Sequence, residues 1–282
     1  MCGQCHGRGT HKELTDLAFP TGFLPGDTDL KARFRLWSYS GTAAKSESDY
    51  FWPNDWASRN RQQYQDFQKS GHYGKAGMSC VSCHAFHGPV ERPQLRTTIE
   101  NLCTDCHRAD GPALRPNAEM VSGSDKSASG ITCVDCHMAR IGSRSRATSK
   151  SGHQWDTTSH VFAVATPQLE QTLGVRSACA SCHLDGDRPA GSMRQELIDT
   201  LRRQAQDVRD GVAATQAMLA RVDLARPGAA ALVSESRAKL GFVLADNSKG
   251  AHHVHRTRSL LQEARGLAER ALALPAAPKR TR

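Results

Sequence analysis

All ten cysteines of this chain fall into five copies of one spacing, Cys-x-x-Cys-His: Cys2/Cys5/His6, Cys80/Cys83/His84, Cys103/Cys106/His107, Cys133/Cys136/His137 and Cys179/Cys182/His183. Two thiols at this spacing add across the vinyl groups of one porphyrin as thioethers, and a histidine directly after the second thiol takes the iron from the proximal side. The pattern reads as attachment of five haem c groups, and no cysteine is left for other chemistry. Zinc knuckles and thioredoxin-like redox pairs share the Cys-x-x-Cys core. Knuckles work in pairs, however, and five is odd, while a redox pair needs a βαβ pattern that is absent here. With 13 histidines in 282 residues, chance would put His after all five pairs about once in several million chains.

Five porphyrins also answer a composition problem. Only 38% of the residues are hydrophobic and 6% aromatic, too few side chains for a large apolar core. The haems must supply it, with the chain wrapped around them. The expected fold class is mainly α with extensive loops, organised around stacked haems, with a C-terminal long-helix region. The formal charge of +9 does not signal nucleic acid. Two propionates on each haem, set against the ferric core, shift the total by about −5 oxidised and about −10 reduced, leaving the loaded protein near neutral, and no nucleic-acid motif is present.

Thioether attachment takes place outside the cytoplasm, which places the protein in the periplasm or the extracellular space. Its first cysteine is residue 2, with no signal-peptide regions ahead of it, so the sequence reads as a processed or truncated chain that further haem motifs could have preceded. No run of 18 apolar residues is available for a transmembrane segment.

Along the chain, residues 1–190 form the expected pentahaem-binding domain and 191–282 a helical region for packing or oligomerisation. An aromatic stretch (Phe34, Trp37, Tyr39, Tyr50, Phe51, Trp52, Trp56, Tyr64, Phe67) follows the first motif, and the stretches Ser122 to Gly130 and Ser143 to Gly152 read as exposed loops. Past Ser192, Leu197, Leu201, Val208, Val212 and Leu219 are spaced 4, 7, 4 and 7 apart, the seam of a helix that packs on another helix. Pro227 and Gly228 break the pattern. A second helix is predicted from about Ala229 to Ala245 and a third from about His253 to Leu274, with Leu260, Leu261, Leu267, Leu272 and Leu274 along one side.

The chemistry of each iron turns on its sixth ligand: two strong ligands leave it coordinatively saturated, whereas an open position admits a substrate. Eight histidines remain beyond the five proximal ones: His11, His72, His87, His153, His160, His252, His253 and His255. The supply permits bis-His ligation throughout. His87, in a short turn three residues after His84, is the first distal candidate. His72 and His252 follow small residues that let a porphyrin approach the backbone, His160 is preferred over His153, and His11 ranks last. Met78, Met120 and Met138 are the competing ligands.

The run Tyr50 to Asn54, then Arg59 to Phe67, Ser70-Gly71-His72 and Cys80 to Gly88 resembles multihaem cytochromes c of the doubled-CxxCH type. Ile131 to Met138, Ser159 to Phe162, Cys179 to His183 and the tail from Gly250-Ala251-His252 through Leu260-Leu261 are similar to ammonia-forming cytochrome c nitrite reductases and octahaem hydroxylamine oxidoreductases. The resemblance implies closely stacked, bis-His haems, with His72, His87, His160 and His252 at distal-ligand positions. It departs from the reductases in two places. All five motifs here end in His where those enzymes usually carry Cys-x-x-Cys-Lys at the substrate haem, and Arg61 stands near the place of their catalytic histidine. Electron transfer between a redox protein donor and acceptor is therefore the leading expectation, with the C-terminal helices docking a second copy or a larger cytochrome complex. The alternative is a reductase or dehydrogenase of small oxyanions of the nitrite or hydroxylamine type at one five-coordinate haem, with Arg59, Arg61, Tyr64 and Lys75 as anion-binding and proton-supplying candidates.

Overall fold

The computed structural model describes residues 2–24, 26–39, 45–75, 77–85, 94–107, 131–143, 157–180, 195–246, 248–251 and 253–275. His87, Cys182, His183 and His252 lie outside them, as do His153, Met120 and the stretches 122–130 and 144–152 expected as loops. Ser143 is described and is buried, donating its N–H to the Ser58 carbonyl. The chain forms two compact units, one of Met1–Ile99 with Cys133–Arg194 and the other of Glu100–Thr132 with Gln195–Arg282. The third motif, Cys103/Cys106/His107, thus falls in the second unit, and the other four belong to the first.

The first unit is built from short pieces. Helical turns run over Cys2–Cys5, Leu30–Arg33, Lys45–Ser48, Gln63–Lys69, Cys80–Cys83, Cys133–His137 and Pro167–Leu173. Sheet is limited, among the described residues, to two antiparallel ribbons: Gly9–His11 against Phe34–Leu36, and Arg140–Gly142 against Thr157–Thr158. Local chemistry sets the ends of these elements. The Asp29 carboxylate accepts the Ala32 N–H at 3.1 Å and caps Leu30–Arg33. Pro167–Leu173 opens with a Thr166 cap and a proline and closes at Gly174, whose φ of 71° is left-handed.

Two small apolar clusters hold this unit. Phe23, Leu30 and fully buried Phe34 pack with Leu36 and Tyr64, and Ala139, Ile141, Ala165, Val175 and Ala178 pack with Trp52, Trp56, Leu169 and Leu173. The Trp52 indole N–H donates to the Ile141 carbonyl at 3.1 Å, so the aromatic stretch is tied to a segment 89 residues downstream.

The second unit carries the long helices Gln195–Ala220, Ala229–Ala245 and Val254–Ala273. Val208, Val212 and Leu219 of the expected seam are buried, but at its start Ile198 points inward and Leu197 is only half-buried. The third helix packs against both others. Its alanines 264, 268 and 271 are fully buried, so side-chain volume at the contact is small and the helices approach closely. Ser236, also fully buried, donates its hydroxyl to the Ala264 carbonyl at 2.7 Å. Arg226 donates Nη1 to the carbonyls of Leu272 (2.9 Å) and Leu274 (2.7 Å), closing the C-terminus of the third helix with a cation. No described helix is long and apolar enough to cross a membrane.

Candidate haem-binding centre

Among the described residues, the first four Cys-x-x-Cys-His motifs share one local geometry. The histidine N–H donates to the carbonyl of the first cysteine in three of them: His6 to Cys2 at 2.9 Å, His84 to Cys80 at 2.9 Å and His107 to Cys103 at 2.8 Å. In the third motif Cys106 also gives its N–H to the Cys103 carbonyl, at 3.3 Å, so the coil of Ile99–Thr104 carries on to the second thiol. In the fourth, Cys136 lies inside the helical turn Cys133–His137. A turn of this kind brings residues three apart to one side, so both thiols face the same way. The described cysteines are thiols within reach of a cofactor. Cys5 is exposed, and Cys2, Cys80, Cys83, Cys103, Cys106, Cys133, Cys136 and Cys179 are half-buried. In the first unit, two motifs lie against each other. The Cys2 and Cys80 thiols are neighbours, and burial, then Cys2, pushes the Cys80 thiol up.

Tautomers separate ligand histidines from structural ones. A histidine that binds a metal through Nε2 gives its Nδ1–H to a carbonyl or another oxygen. His137 faces the Phe162 carbonyl with Nδ1 at 3.0 Å, His160 faces the Thr158 carbonyl at 3.2 Å and His6 faces Gln63 Oε1 at 3.3 Å. In each, Nδ1 is the nitrogen turned to the oxygen, the arrangement of an imidazole that binds metal through Nε2. His11 has the opposite arrangement. Its Nδ1 accepts the backbone N–H groups of Glu13 (3.1 Å) and Leu14 (3.0 Å), which puts the proton on Nε2, facing the Thr21 carbonyl at 3.2 Å. Buried to 4% exposure, His11 spends both ring nitrogens on closing its own loop.

His160 stands opposite His84, which the sequence predicts as the proximal ligand of the second motif. Its ring centre is 6.3 Å from that of His84, and the two planes differ by 24°. With a metal–imidazole bond of about 2.0 Å and about 1.1 Å more from nitrogen to ring centre, two imidazoles on opposite faces of one iron stand about 6.2 Å apart. The spacing of the two ring centres therefore matches that of two imidazoles on one iron, and the residues present fit a haem at this place. Burial pushes the His160 imidazolium down to about 4, with His84 and His6 acting in the same direction against the Thr158 carbonyl, so the ring is neutral as a ligand must be.

The backbone around His160 hangs on one buried carboxylate. Asp66, 2% exposed, accepts the Ala57 N–H at 2.8 Å on Oδ1, and the Ser159 hydroxyl at 3.1 Å and the His160 N–H at 3.3 Å on Oδ2. Burial raises its pKa above the ordinary carboxylate value, against the pull of these donors and of Lys69. Two residues further on, Phe162 has a φ of 59°, left-handed for a bulky aromatic, a conformation that costs roughly 1–3 kcal/mol. Its ring meets His72 edge-on at 4.5 Å and His160 at 6.2 Å.

Of the candidate anion-binding residues, Tyr64 packs on the first motif, and Arg59 and Arg61 act on Arg8, which sequence reasoning did not single out. Arg8 lies over the Tyr50 ring at 4.4 Å and donates Nε to the Asn60 carbonyl (2.9 Å) and Nη2 to Asn60 Oδ1 (2.7 Å). Burial, then Arg61 and Arg59, lowers its pKa. Tyr64 packs on the first motif so closely that a Cβ on Gly3 would fall 2.9 Å from its ring. Burial, then Tyr73, Cys80 and Asp29, pushes its phenol up to about 12. Lys75 is exposed and gives its backbone N–H to the His72 carbonyl. Sequence reasoning passed over Asp66, Phe162 and Arg8. The one legible signal was the acid in Gln65-Asp66-Phe67, an ionisable residue inside an aromatic stretch.

The chain has the mainly helical, loop-rich fold of multihaem cytochromes c, and its first four motifs adopt one common turn. The family model described as "Doubled CXXCH motif" matches residues 72–112, and no curated protein matches the chain. Among solved structures, the chain is similar to the outer cell wall cytochrome OcwA, with a TM-score of 0.73 and 24% identity over 95% of this chain and 64% of that one. The octahaem sulfite reductase MccA of Wolinella succinogenes shares its fold at a TM-score of 0.50, with 16% identity over 96% of this chain and 49% of that one. An undecahaem cytochrome from the S-layer of Carboxydothermus ferrireducens aligns at a TM-score of 0.48 and 19% identity, over 71% of this chain and 32% of that one. The chain thus spans less than two thirds of the length of each of these structures.

Proposed function

We propose that this chain is an electron-relay cytochrome that holds five haem c groups on its five Cys-x-x-Cys-His motifs and works outside the cytoplasm between a redox protein donor and acceptor. The carrying observation is the His84–His160 pair, whose 6.3 Å separation suits the two faces of one iron. A bound haem supplies an iron that gains and loses one electron at a time. The side chains decide what else that iron can do. Were His84 and His160 both to hold that iron, no site would be left for a substrate oxygen or nitrogen. The carbonyl of Thr158 holds the His160 tautomer, and Asp66 holds the backbone that carries the ring.

The contact between Cys2 and Cys80 supports close spacing of the first two haems, which a relay needs. Cys106 and Cys136, each on the same turn as the first cysteine of its motif, are the proposed second thioether positions of the third and fourth haems. His72, beside the same Phe162 ring as His160, is proposed as a further distal ligand. His87 and His252 keep their places in the proposed set from sequence alone, and His11 leaves it because both its ring nitrogens serve the loop. The cell-wall setting named for OcwA supports the extracellular side. All five motifs lie within the proposed haem-binding region, 1–190, and the helices of 191–282 are the proposed docking element.

The test is low-temperature EPR of the oxidised protein with CO titration of the reduced protein, preceded by a pyridine haemochrome count. Five haems per chain, all low-spin and indifferent to CO, are expected. In His160→Ala, one haem per chain should turn high-spin and bind CO. A high-spin haem in the unmodified protein would instead favour the oxyanion reductase, and an unchanged His160→Ala spectrum would remove His160 from the ligand set.

A further inference from the structure

The segment Ser159–Phe162 contains a residue whose two halves face different haem sites. The carbonyl of Phe162 faces Nδ1 of His137, the proximal ligand of the fourth motif, at 3.0 Å. Its ring stands edge-on to His72 (4.5 Å, 74°) and to His160 (6.2 Å, 80°), neither of which belongs to that motif. A left-handed φ of 59° makes both contacts simultaneous. An extended backbone at this position would turn the carbonyl away from where the ring now holds it. Bulky aromatics avoid this region of backbone space, so its occupation here points to a function that both contacts share.

We propose that Phe162 is a positioning residue common to two haem sites, its carbonyl tuning the ligand strength of His137 and its ring fixing the planes of His160 and His72. This rests on the ligand assignments above. An imidazole that donates Nδ1–H to a carbonyl is a more basic ligand, which favours the ferric iron and lowers the midpoint potential of its haem. The rotation of an imidazole about its iron–nitrogen axis is restrained by what touches its edges, and Phe162 is such an edge for His160.

Two substitutions separate the two halves. Phe162→Gly keeps the left-handed backbone, and with it the carbonyl, but removes the ring. Phe162→Val resists positive φ because its Cβ is branched, and so turns the carbonyl. Redox titration followed by EPR reads both variants, after a haemochrome count confirms full haem loading. His160→Ala identifies the low-spin component that depends on His160. In Phe162→Gly that component should change its g-values while the other midpoints stay. Phe162→Val, which also lacks the ring, should show the same g-value change and, in addition, a second component shifted to higher potential. Titrations of both variants that match the unmodified protein, or a Phe162→Val titration with no component shifted beyond those of Phe162→Gly, overturn the proposal. If His160→Ala removes no low-spin component, the ligand assignment fails instead, and the two failures are distinguishable.

Discussion

Removing the Asp66 carboxylate tests whether the backbone of a distal ligand hangs on a single buried acid. Asp66→Ala leaves three donors unpaired: the buried N–H of Ala57, the buried Ser159 hydroxyl and the His160 N–H. Hydrogen bonds to a charged acceptor contribute about 1.5–3 kcal/mol, and the longer 3.1 and 3.3 Å bonds belong near about 1 kcal/mol each. The gross loss is then about 4 kcal/mol. Burial already disfavours the ionised carboxylate, so deleting the charge returns about 1 kcal/mol and the net loss is about 3 kcal/mol. In guanidinium unfolding followed at the haem Soret band, that corresponds to a midpoint lower by roughly 0.5–1 M. The loss should also reach the haem. A fraction of the low-spin component that depends on His160 should become high-spin, because the segment bearing the ring is no longer pinned. Asp66→Asn keeps one carbonyl for Ala57 and should lose about half as much. A change below about 0.5 kcal/mol in Asp66→Ala, with an intact low-spin signal, would refute the reasoning.

In the second unit, Arg226→Ala uncaps the third helix by removing both bonds to its last carbonyls, and chemical denaturation should show a loss of about 1–2 kcal/mol. Ala264→Leu drives a large side chain into a fully buried contact and should cost about 3 kcal/mol or more, read as a lower denaturation midpoint and reduced helical circular dichroism. The Lys239–Glu263 pair, 2.6 Å apart and solvent-exposed on the acid side, should give a double-mutant coupling below about 1 kcal/mol. The Lys239 ammonium and the Ser259 hydroxyl hold Glu263 below the usual carboxylate range. That coupling should therefore be fully present above the unfolded-state pKa and fade as the pH falls through the depressed folded one.

What could be read from the sequence was local. A Cys-x-x-Cys-His turn needs nothing beyond its own five residues, and the second long helix starts after the Pro227-Gly228 break and runs over Ala229–Ala245 as expected. What escaped was set by distant partners. Asp66 meets His160 across 94 residues, and no spacing rule links them. His11 was offered as a ligand because an unassigned histidine near a haem motif has that chemistry, yet two backbone N–H groups of its own loop decide its tautomer. Phe162 entered only as the end of the stretch Ser159 to Phe162, since a φ of 59° leaves no mark on residue type. The seam of the first long helix drifted from Leu197 to Ile198 at its start, as a straight helix does against a strict seven-residue repeat.

The first motif is held by a helix that comes much later in the chain. Tyr64 gives its N–H to the His6 carbonyl. Gln65 accepts the Arg8 N–H at 2.9 Å and returns its amide to the carbonyls of Arg8 (2.8 Å) and Trp37 (2.9 Å), closing the end of the ribbon. These partners are 57 residues downstream in the Gln65–Arg8 case. A chain delivered N-terminus first therefore presents Cys2 and Cys5 on an open, unclamped segment until Gln63–Lys69 has followed. The order of synthesis itself leaves an interval in which both thiols are reachable. Closure by Tyr64 and Gln65 then completes the fold around the first motif.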